Sequence, residues 1–181
     1  VPSPYWVTYP ELAKFCGAKN VFVETKPENG YKMTAEELEK AITPKTKLLI
    51  LNSPNNPTGA VYSREELSAI ADVVLSRDGI FVVSDEIYRD LVYDGEKHVS
   101  IASLGEEIKS RTIIIDGMSK SYAMTGWRTG WAIAPEKIAN AMTRAQNHMT
   151  SNVNSIAQYA SLEGLTNTEK SDEFIAEMRK T

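Results

Sequence analysis

Short apolar runs alternate along the chain with segments whose apolar residues recur at helical spacing. Such runs predict strands buried on both faces, because strands of a parallel sheet lose the apolar–polar alternation of half-exposed strands. The predicted strands cover residues 21–23, 48–51, 80–83, 112–115 and 131–134. Strands that alternate with helices favour an α/β fold in which helices cover a mostly parallel sheet.

Two segments carry the side-chain pattern that starts a helix. Thr34 with Glu37, and Ser63 with Glu66, have the spacing of a capping box, in which each side chain bonds the backbone N–H of the other residue. Pro135 suits the first turn of a third helix, and a fourth is expected over residues 155–165. The helices thus fall between the predicted strands or after the last of them.

The overall balance of residues limits the kind of protein. The chain has 181 residues, of which 42% are hydrophobic, so residues 1–181 are expected to form one domain with a real core. The formal net charge of −4 comes without a long Lys/Arg cluster, which gives no support to nucleic-acid binding. No apolar run approaches the roughly 18 residues of a membrane span, and no signal peptide is visible.

The chain has a single cysteine, Cys16, which cannot form an internal disulfide. This cysteine usage is consistent with a reducing cytoplasm. Cys16 lies in an apolar stretch with helical spacing, so we predict a buried structural thiol and not a nucleophile.

Three polar segments directly follow predicted strands, at residues 52–59, 84–88 and 116–120. Ligands of open α/β sheets bind outside the carboxyl ends of the strands. The side chains of these three segments are therefore expected to meet at one edge of the sheet.

The first two segments offer an amide, a carboxylate and a phenol. Asn56 lies in a proline-rich loop that, taken alone, is more typical of a plain turn, whereas the alternative is a stiff platform for a hydrogen-bond donor. Asp85 follows four apolar residues, where a carboxylate could either cap a helix or hold a cationic partner. Tyr88, three residues later, can lie on the same side of a turn, whereas the adjacent Glu86 is expected to point elsewhere.

The third segment offers an amine and leads to a guanidinium. A lysine is ordinarily a solvated surface charge. Lys120 instead follows a predicted strand after a short loop, near the same edge as Asp85. Arg128 lies among Met124, Trp127 and Trp131, so we expect it to be anchored and suited to bidentate phosphate binding. Trp6, near the start, is either plain core or an aromatic plate for a flat ring.

These six side chains match the groups of pyridoxal 5'-phosphate. The cofactor has a flat ring to stack on, a phenolic oxygen, a pyridinium nitrogen, an aldehyde and a phosphate. The order and spacing of the segments resemble the class I aminotransferases of fold type I, most nearly the bacterial aspartate aminotransferase branch. The motifs that carry the resemblance are Pro-Tyr-Trp at 4–6, Asn-Asn-Pro-Thr-Gly at 55–59, Ser-Asp-Glu-Ile-Tyr at 84–88, Ser-Lys at 119–120 and Met-Thr-Gly-Trp-Arg at 124–128.

The resemblance covers essentially the whole chain and implies a role for each of the six residues. Lys120 would form the Schiff base with the cofactor and later move the proton, and Asp85 would pair with the pyridinium nitrogen. Asn56 and Tyr88 would bond the phenolic oxygen, with Asn56 also touching the substrate carboxylate. Trp6 is implied to pack against the ring and border the substrate, and Arg128 is implied to bind the phosphate.

The resemblance also implies what lies around the site. The fold would be a three-layer α/β/α large domain, truncated, because the upstream phosphate-binding loop and the C-terminal small domain are expected to be missing. Gly117 stands where many relatives have a phosphate-binding serine, which leaves Ser119 and Ser121 as possible substitutes.

The activity implied for the parent enzyme, expected to be a cytoplasmic homodimer, is transamination between an amino acid, with aspartate favoured, and a 2-oxo acid. The fragment alone is expected to be inactive. The alternatives are a pyridoxal-phosphate-dependent C–S lyase and a non-catalytic α/β ligand-binding domain.

Overall fold

The computed structural model describes residues 1–180, and its centre is a four-stranded sheet in the order β3–β4–β5–β6. The strands are β3 (Leu48–Asn52), β4 (Phe81–Asp85), β5 (Thr112–Gly117) and β6 (Gly130–Ile133). The first three run parallel, and β6 pairs antiparallel with β5. The mostly parallel α/β sheet predicted from the apolar runs is confirmed, with boundaries shifted by one or two residues.

A second, smaller sheet joins two short strands. Strand β1 (Pro2–Ser3) pairs parallel with β2 (Val23–Glu24), so the strand expected at residues 21–23 forms two positions later than predicted. The helices within residues 1–180 are α1 (Thr8–Phe15), α2 (Ala35–Ala41), α3 (Arg64–Leu75), α4 (Glu106–Lys109), α5 (Glu136–Met149), α6 (Ser155–Thr166) and α7 (Thr168–Met178). In this part of the chain none of them is long and apolar enough to cross a membrane.

Both predicted capping boxes are present and fix where α2 and α3 begin. The Thr34 hydroxyl accepts from the Glu37 N–H at 3.2 Å, and the Glu37 carboxylate accepts from the Thr34 N–H at 2.8 Å. The Ser63 and Glu66 side chains exchange the same pair of bonds ahead of α3. These bonds satisfy backbone donors that the first turn of a helix leaves without partners.

The hydrophobic core lies between one face of the large sheet and helices α2, α3 and α4. The fully buried stripe of α3 packs there, together with alternate residues of β3 and β4. The buried cluster is Met33, Leu38, Leu49, Leu51, Tyr62, Leu67, Ile70, Ala71, Val74, Ile80, Val82, Ile101 and Ile108. This face holds the strand ends in place, and with them the polar segments that follow the strands.

The opposite face of the sheet is less completely covered within residues 1–180. Ile50, Phe81 and Val83 are only half-buried, and Leu48 is exposed. In β4 the side chain of Asp85 has the same parity as Phe81 and Val83, so it belongs to this second face. Burial of the strands on both faces, as the continuous apolar runs predicted, is therefore only partial here.

The prediction for Cys16 is wrong. Cys16 follows the last residue of α1 and its side chain is exposed, as is the neighbouring Phe15. Only Tyr9 and Pro10 of α1 are buried, so this helix packs along one short stripe and leaves its apolar C-terminal end outside the core.

Candidate active site

The register of the large sheet brings the ends of three strands to one rim. Asn52 of β3 lies opposite Asp85 of β4, and Asp85 lies opposite Ile115 of β5. Because these strands are parallel, the segments that follow them leave from the same edge. The three polar segments singled out from the sequence therefore share one side of the molecule.

Asp85 is the last residue of β4 and is only 9% exposed. One carboxylate oxygen accepts a hydrogen bond from the Tyr9 hydroxyl at 2.6 Å, and the other accepts from the Ile87 N–H at 3.2 Å. Its backbone oxygen accepts from the Asn52 side-chain amide at 2.9 Å. These bonds fix the carboxylate at the rim, and no cationic side chain of residues 1–180 pairs with it, which leaves it suited to a cationic ligand group.

Tyr9 was not among the residues predicted for the site. Burial, followed by the charge and hydrogen bond of Asp85, raises the pKa of Tyr9 above its ordinary value, so the phenol stays protonated and donates. Nothing in the local sequence distinguishes Tyr9 from the other aromatic residues near it. Its position one helical turn after Trp6 was the only available signal.

Trp6 and Tyr9 form one aromatic unit. Their rings meet edge to face, with centroids 5.4 Å apart and planes at 86°. Trp6 is 43% exposed, so one part of the indole remains free beside the buried Asp85. The plain-core alternative for Trp6 does not hold, because its side chain is exposed.

Tyr88 contacts both Lys120 and Asn56. The Lys120 ammonium nitrogen lies 5.6 Å from the centroid of the Tyr88 ring. The Asn56 side-chain amide donates to the Tyr88 hydroxyl at 3.4 Å. The Asn56 backbone N–H donates to the Asn52 side chain at 2.7 Å, so the loop is also tied to the residue that holds Asp85.

Glu86 points away from this group, as expected from the sequence. Its carboxylate accepts from Ser84, Ser100 and His98 at 2.7 to 2.9 Å. Burial alone would raise the pKa of Glu86, but the hydrogen bonds from His98, Ser100 and Ser84 outweigh it and lower the pKa. This network anchors the turn after β4 to the segment at residues 98–100.

Arg128, the sixth predicted residue, contacts its own turn. Its side chain is exposed, its backbone is in the left-handed region with a φ of 53°, and its guanidinium donates to the Thr125 carbonyl at 2.8 Å. Within residues 1–180, no hydrogen bond or ion pair joins it to Asp85, Tyr88 or Lys120. The neighbouring aromatic residues do not bury Arg128, since Trp127 is itself 46% exposed, and the bond to Thr125 is the contact that holds the guanidinium.

Arg128 lines an open cleft with polar side chains from two other segments. Gln146 of α5 and Asn152 and Asn154 before α6 contribute to it. The cleft is wide and open to solvent, so an anion bound there would need further contacts from outside these residues.

Gly117 cannot be replaced by serine without moving the backbone. A Cβ atom at this position would lie 2.8 Å from the Thr129 carbonyl oxygen and 2.9 Å from the Gly130 Cα. Gly117 and Gly130 face each other where β5 and β6 pair. The close approach of these two strands therefore explains the missing serine. Of its possible substitutes, Ser121 is fully buried, with a hydroxyl that has no hydrogen-bond partner in residues 1–180.

Replacing Gly117 by alanine is expected to lower the free energy of unfolding by about 1 to 3 kcal/mol, the usual cost of overpacking. The backbone atoms of β6 must shift because no flexible side chain can yield. Urea unfolding of the whole protein measures the change.

The matched control for that change is Gly126→Ala, since a Cβ at Gly126 meets nothing within 4 Å. Equal stability of the Gly117 variant and the control would show that β5 and β6 do not pack as closely as described.

The residues at the rim fit pyridoxal phosphate by the chemistry of their donors and acceptors. Asp85 is a buried carboxylate without a cation, Asn56 and Tyr88 are polar groups within hydrogen-bonding distance of each other, and Lys120 supplies an amine beside them. Within the described residues, no group of three or more His, Cys, Asp or Glu side chains is placed to hold a metal ion.

Comparisons of the chain with known proteins give one consistent result. The sequence matches the protein family described as aminotransferase class I and II over residues 1–181. The chain is 54% identical over 162 residues to the aspartate aminotransferase of Geobacillus stearothermophilus, covering 90% of this chain and 41% of that protein. It is 51% identical over 180 residues to the aspartate aminotransferase of a Bacillus species, covering 99% and 45%.

Solved structures give the same result. The aspartate aminotransferase of Thermus thermophilus with maleate superimposes with a TM-score of 0.94 at 45% identity, over 98% of this chain and 45% of that one. An aromatic aminotransferase from Pyrococcus horikoshii superimposes with a TM-score of 0.95 at 41% identity, over 99% and 47%. The chain thus spans less than half the length of the relatives it matches.

Proposed function

Because the chain belongs to the family of class I and II aminotransferases, we propose that the whole protein that carries it transfers an amino group from an L-amino acid to a 2-oxo acid. Aspartate is the favoured donor and 2-oxoglutarate a fitting acceptor, since several relatives are named aspartate aminotransferase. The observation that carries the proposal is the placement of Lys120 over Tyr88, at the rim where Asp85 is buried.

Pyridoxal phosphate, the cofactor of this family, would be held by the six predicted residues. Asp85 would bond the ring nitrogen, and Asn56 and Tyr88 the phenolic oxygen. Trp6 would pack against the ring and border the substrate, whose carboxylate Asn56 would also touch. Arg128 would bind the phosphate from its open cleft, together with contacts from outside this chain.

Each group has a part in proton movement or charge stabilisation. When bound, the cofactor supplies an aldehyde and a cationic ring that draws electrons from the α-carbon of the substrate. The buried Asp85 carboxylate favours a protonated partner because few water molecules compete with it. The Lys120 amine acts as general base at the α-carbon and returns the proton as general acid. Tyr88, in contact with the Lys120 ammonium, orients it.

Product analysis of the whole protein tests the reaction. With pyridoxal phosphate, aspartate and 2-oxoglutarate, we expect oxaloacetate and glutamate in equal amounts. Prephenate belongs in the same assay as an alternative acceptor, because some relatives are named aspartate/prephenate aminotransferase. Ammonia and pyruvate from a sulfur-containing amino acid, without amino transfer, would identify a C–S lyase instead. No turnover and no visible absorbance band with the cofactor would favour a non-catalytic binding domain.

The 181-residue chain alone is expected to be inactive, or nearly so. Its Arg128 cleft is open and one face of its sheet is only half covered, so a bound cofactor would be poorly enclosed. We further propose that the whole protein is a cytoplasmic homodimer. Light scattering of the whole protein tests whether it is a dimer. Clear amino transfer by the 181-residue chain alone would contradict the expectation that this chain is inactive.

A further inference from the structure

Two segments of the site leave the sheet separately and must still keep a fixed distance. One is the turn after β4, which carries Asp85 and Tyr88, and the other is the loop after β5, which carries Lys120. The pairing of β4 with β5 ends at Asp85 and Ile115. One more bond, from the Glu86 N–H to the Ile115 carbonyl at 2.9 Å, follows it. Beyond that point the strand ladder no longer holds the two segments together.

An ion pair crosses between the segments just beyond the end of the ladder. The Arg89 guanidinium Nε lies 3.1 Å from one carboxylate oxygen of Asp116. The other oxygen of Asp116 accepts from the Gly117 N–H at 2.7 Å. Arg89 directly follows Tyr88, and Asp116 precedes Lys120 by four residues. Each oxygen of one carboxylate therefore contacts a different segment of the site.

We propose that Asp116 and Arg89 are positioning residues, whose ion pair fixes the Lys120 loop against the turn that carries Asp85 and Tyr88. Neither residue touches the substrate or the cofactor in this proposal. The inference rests on the proposed transamination, since that reaction requires the Lys120 amine to meet the same ligand as Asp85 and Tyr88.

The buried surroundings of Asp116 make its charged carboxylate unfavourable for the stability of the fold. Its side chain is only 4% exposed. Burial raises the pKa of Asp116 from 3.8 to about 6, even though the Gly117 N–H and Arg89 both lower it; Asp90 and Glu86 raise it further. Burial thus outweighs the attraction of Arg89.

The sign of the effect on stability follows from this shift. A carboxyl group whose pKa is higher in the folded than in the unfolded protein makes the free energy of unfolding fall as pH rises between the two values. Above about pH 6 the cost of charging Asp116 is fully present. Removing the charge at pH 7 should therefore not destabilise the fold, which separates a positioning role from a merely structural one.

The first test is Asp116→Asn in the whole protein. The asparagine oxygen can still accept from the Gly117 N–H, but the neutral amide no longer holds Arg89. At pH 7 we expect an unchanged or higher melting temperature, a kcat lowered about 10- to 100-fold, and a KM within twofold of wild type. Arg89→Gln should lower kcat similarly, and the double variant should lose no more than either single variant, because both remove one pair.

The matched control is Asp90→Asn. Asp90 also pairs with the Arg89 Nε, at 3.4 Å, but it lies on the same segment as Arg89, and within residues 1–180 its side chain has no ion pair to the Lys120 loop. Its replacement is expected to leave kcat within twofold of wild type. An equal loss in this variant and in Asp116→Asn would overturn the proposal.

Hydrogen exchange in the cofactor-free protein tests positioning without relying on activity. In Asp116→Asn, the peptide covering residues 116–122 should exchange about tenfold faster, while peptides of α3 keep their wild-type rate. Unchanged exchange in residues 116–122 would overturn the positioning role even if the wild-type protein transaminates. Faster local exchange in a protein that never transaminates would support the positioning and contradict only the proposed function.

Discussion

Replacing Lys120 by alanine in the whole protein is expected to abolish transamination, with a loss of at least about 10⁴-fold in kcat, the upper end of what a positioned proton-transfer group contributes. Alanine removes the amine that lies 5.6 Å from the Tyr88 ring centroid, at the rim where Asp85 is buried. Coupled measurement of oxaloacetate formation follows the rate. The fold should remain, because Lys120 is only half-buried and lies on a loop after β5.

The control for this change is Lys109→Ala. Lys109 pairs with Glu106 in an exposed contact at 3.0 Å, just before the start of β5 and hence at the opposite end of that strand from Lys120. It is expected to retain wild-type turnover. Borohydride treatment with the cofactor should label the peptide that contains Lys120 and no other. Wild-type turnover by the Lys120 variant, or labelling at another lysine, would refute the assignment.

Asp85→Asn is expected to lower kcat by about 10²- to 10³-fold, the range seen when one preorganised electrostatic contact is removed from an active site. The single amide oxygen of asparagine can keep the bond from the Ile87 N–H. The amide NH2 then faces Tyr9, whose hydroxyl can rotate and accept, so the local geometry should survive. What is lost is the charge that favours a protonated ring nitrogen. Steady-state kinetics measure the loss of kcat. The visible absorbance of the cofactor-loaded protein measures the change in protonation of the ring nitrogen.

A graded comparison separates the charge of Asp85 from its orientation. Tyr9→Phe keeps the charge but removes the donor at 2.6 Å, and is expected to lower kcat only about tenfold, which corresponds to the lower end of the about 1.5 to 3 kcal/mol that a hydrogen bond to a charged group contributes. Asp72→Asn, at an exposed position of α3, should change nothing. If Tyr9→Phe cost as much as Asp85→Asn, the hydrogen bond and not the carboxylate charge would be the essential feature.

The elements that the sequence predicted well are those with local causes. The capping boxes at Thr34 and Ser63 fix where α2 and α3 begin, because each box involves only residues three positions apart. The strands of the large sheet are short apolar runs between turns, so their existence follows from burial alone. Their ends shifted by one or two residues because the last hydrogen bonds of a ladder depend on the neighbouring strand.

The features that the sequence did not predict depend on distant contacts. Tyr9 reaches Asp85 across 76 positions of the chain, and Arg89 reaches Asp116 only because β4 and β5 are neighbours. Cys16 and Arg128 were expected to be buried or anchored from the apolar residues near them, but apolar neighbours in sequence do not specify which side of an element faces the core. Gly117 was noted as a departure, but its steric cause lies in β6.

The sequence by itself determined the class of fold and the three polar segments of the rim, because strand periodicity, helix capping and residue chemistry act over a few positions. Only the tertiary structure decided which side chains meet there, since that depends on strand order and register. The pairing of β3, β4 and β5 brings the segments that carry Asn56, Tyr88 and Lys120 to the rim at which Asp85 lies. Tyr9 of α1 and Asp116 of β5 make supporting contacts there. Burial, which is set by packing and not by local sequence, then raises the pKa of Asp116.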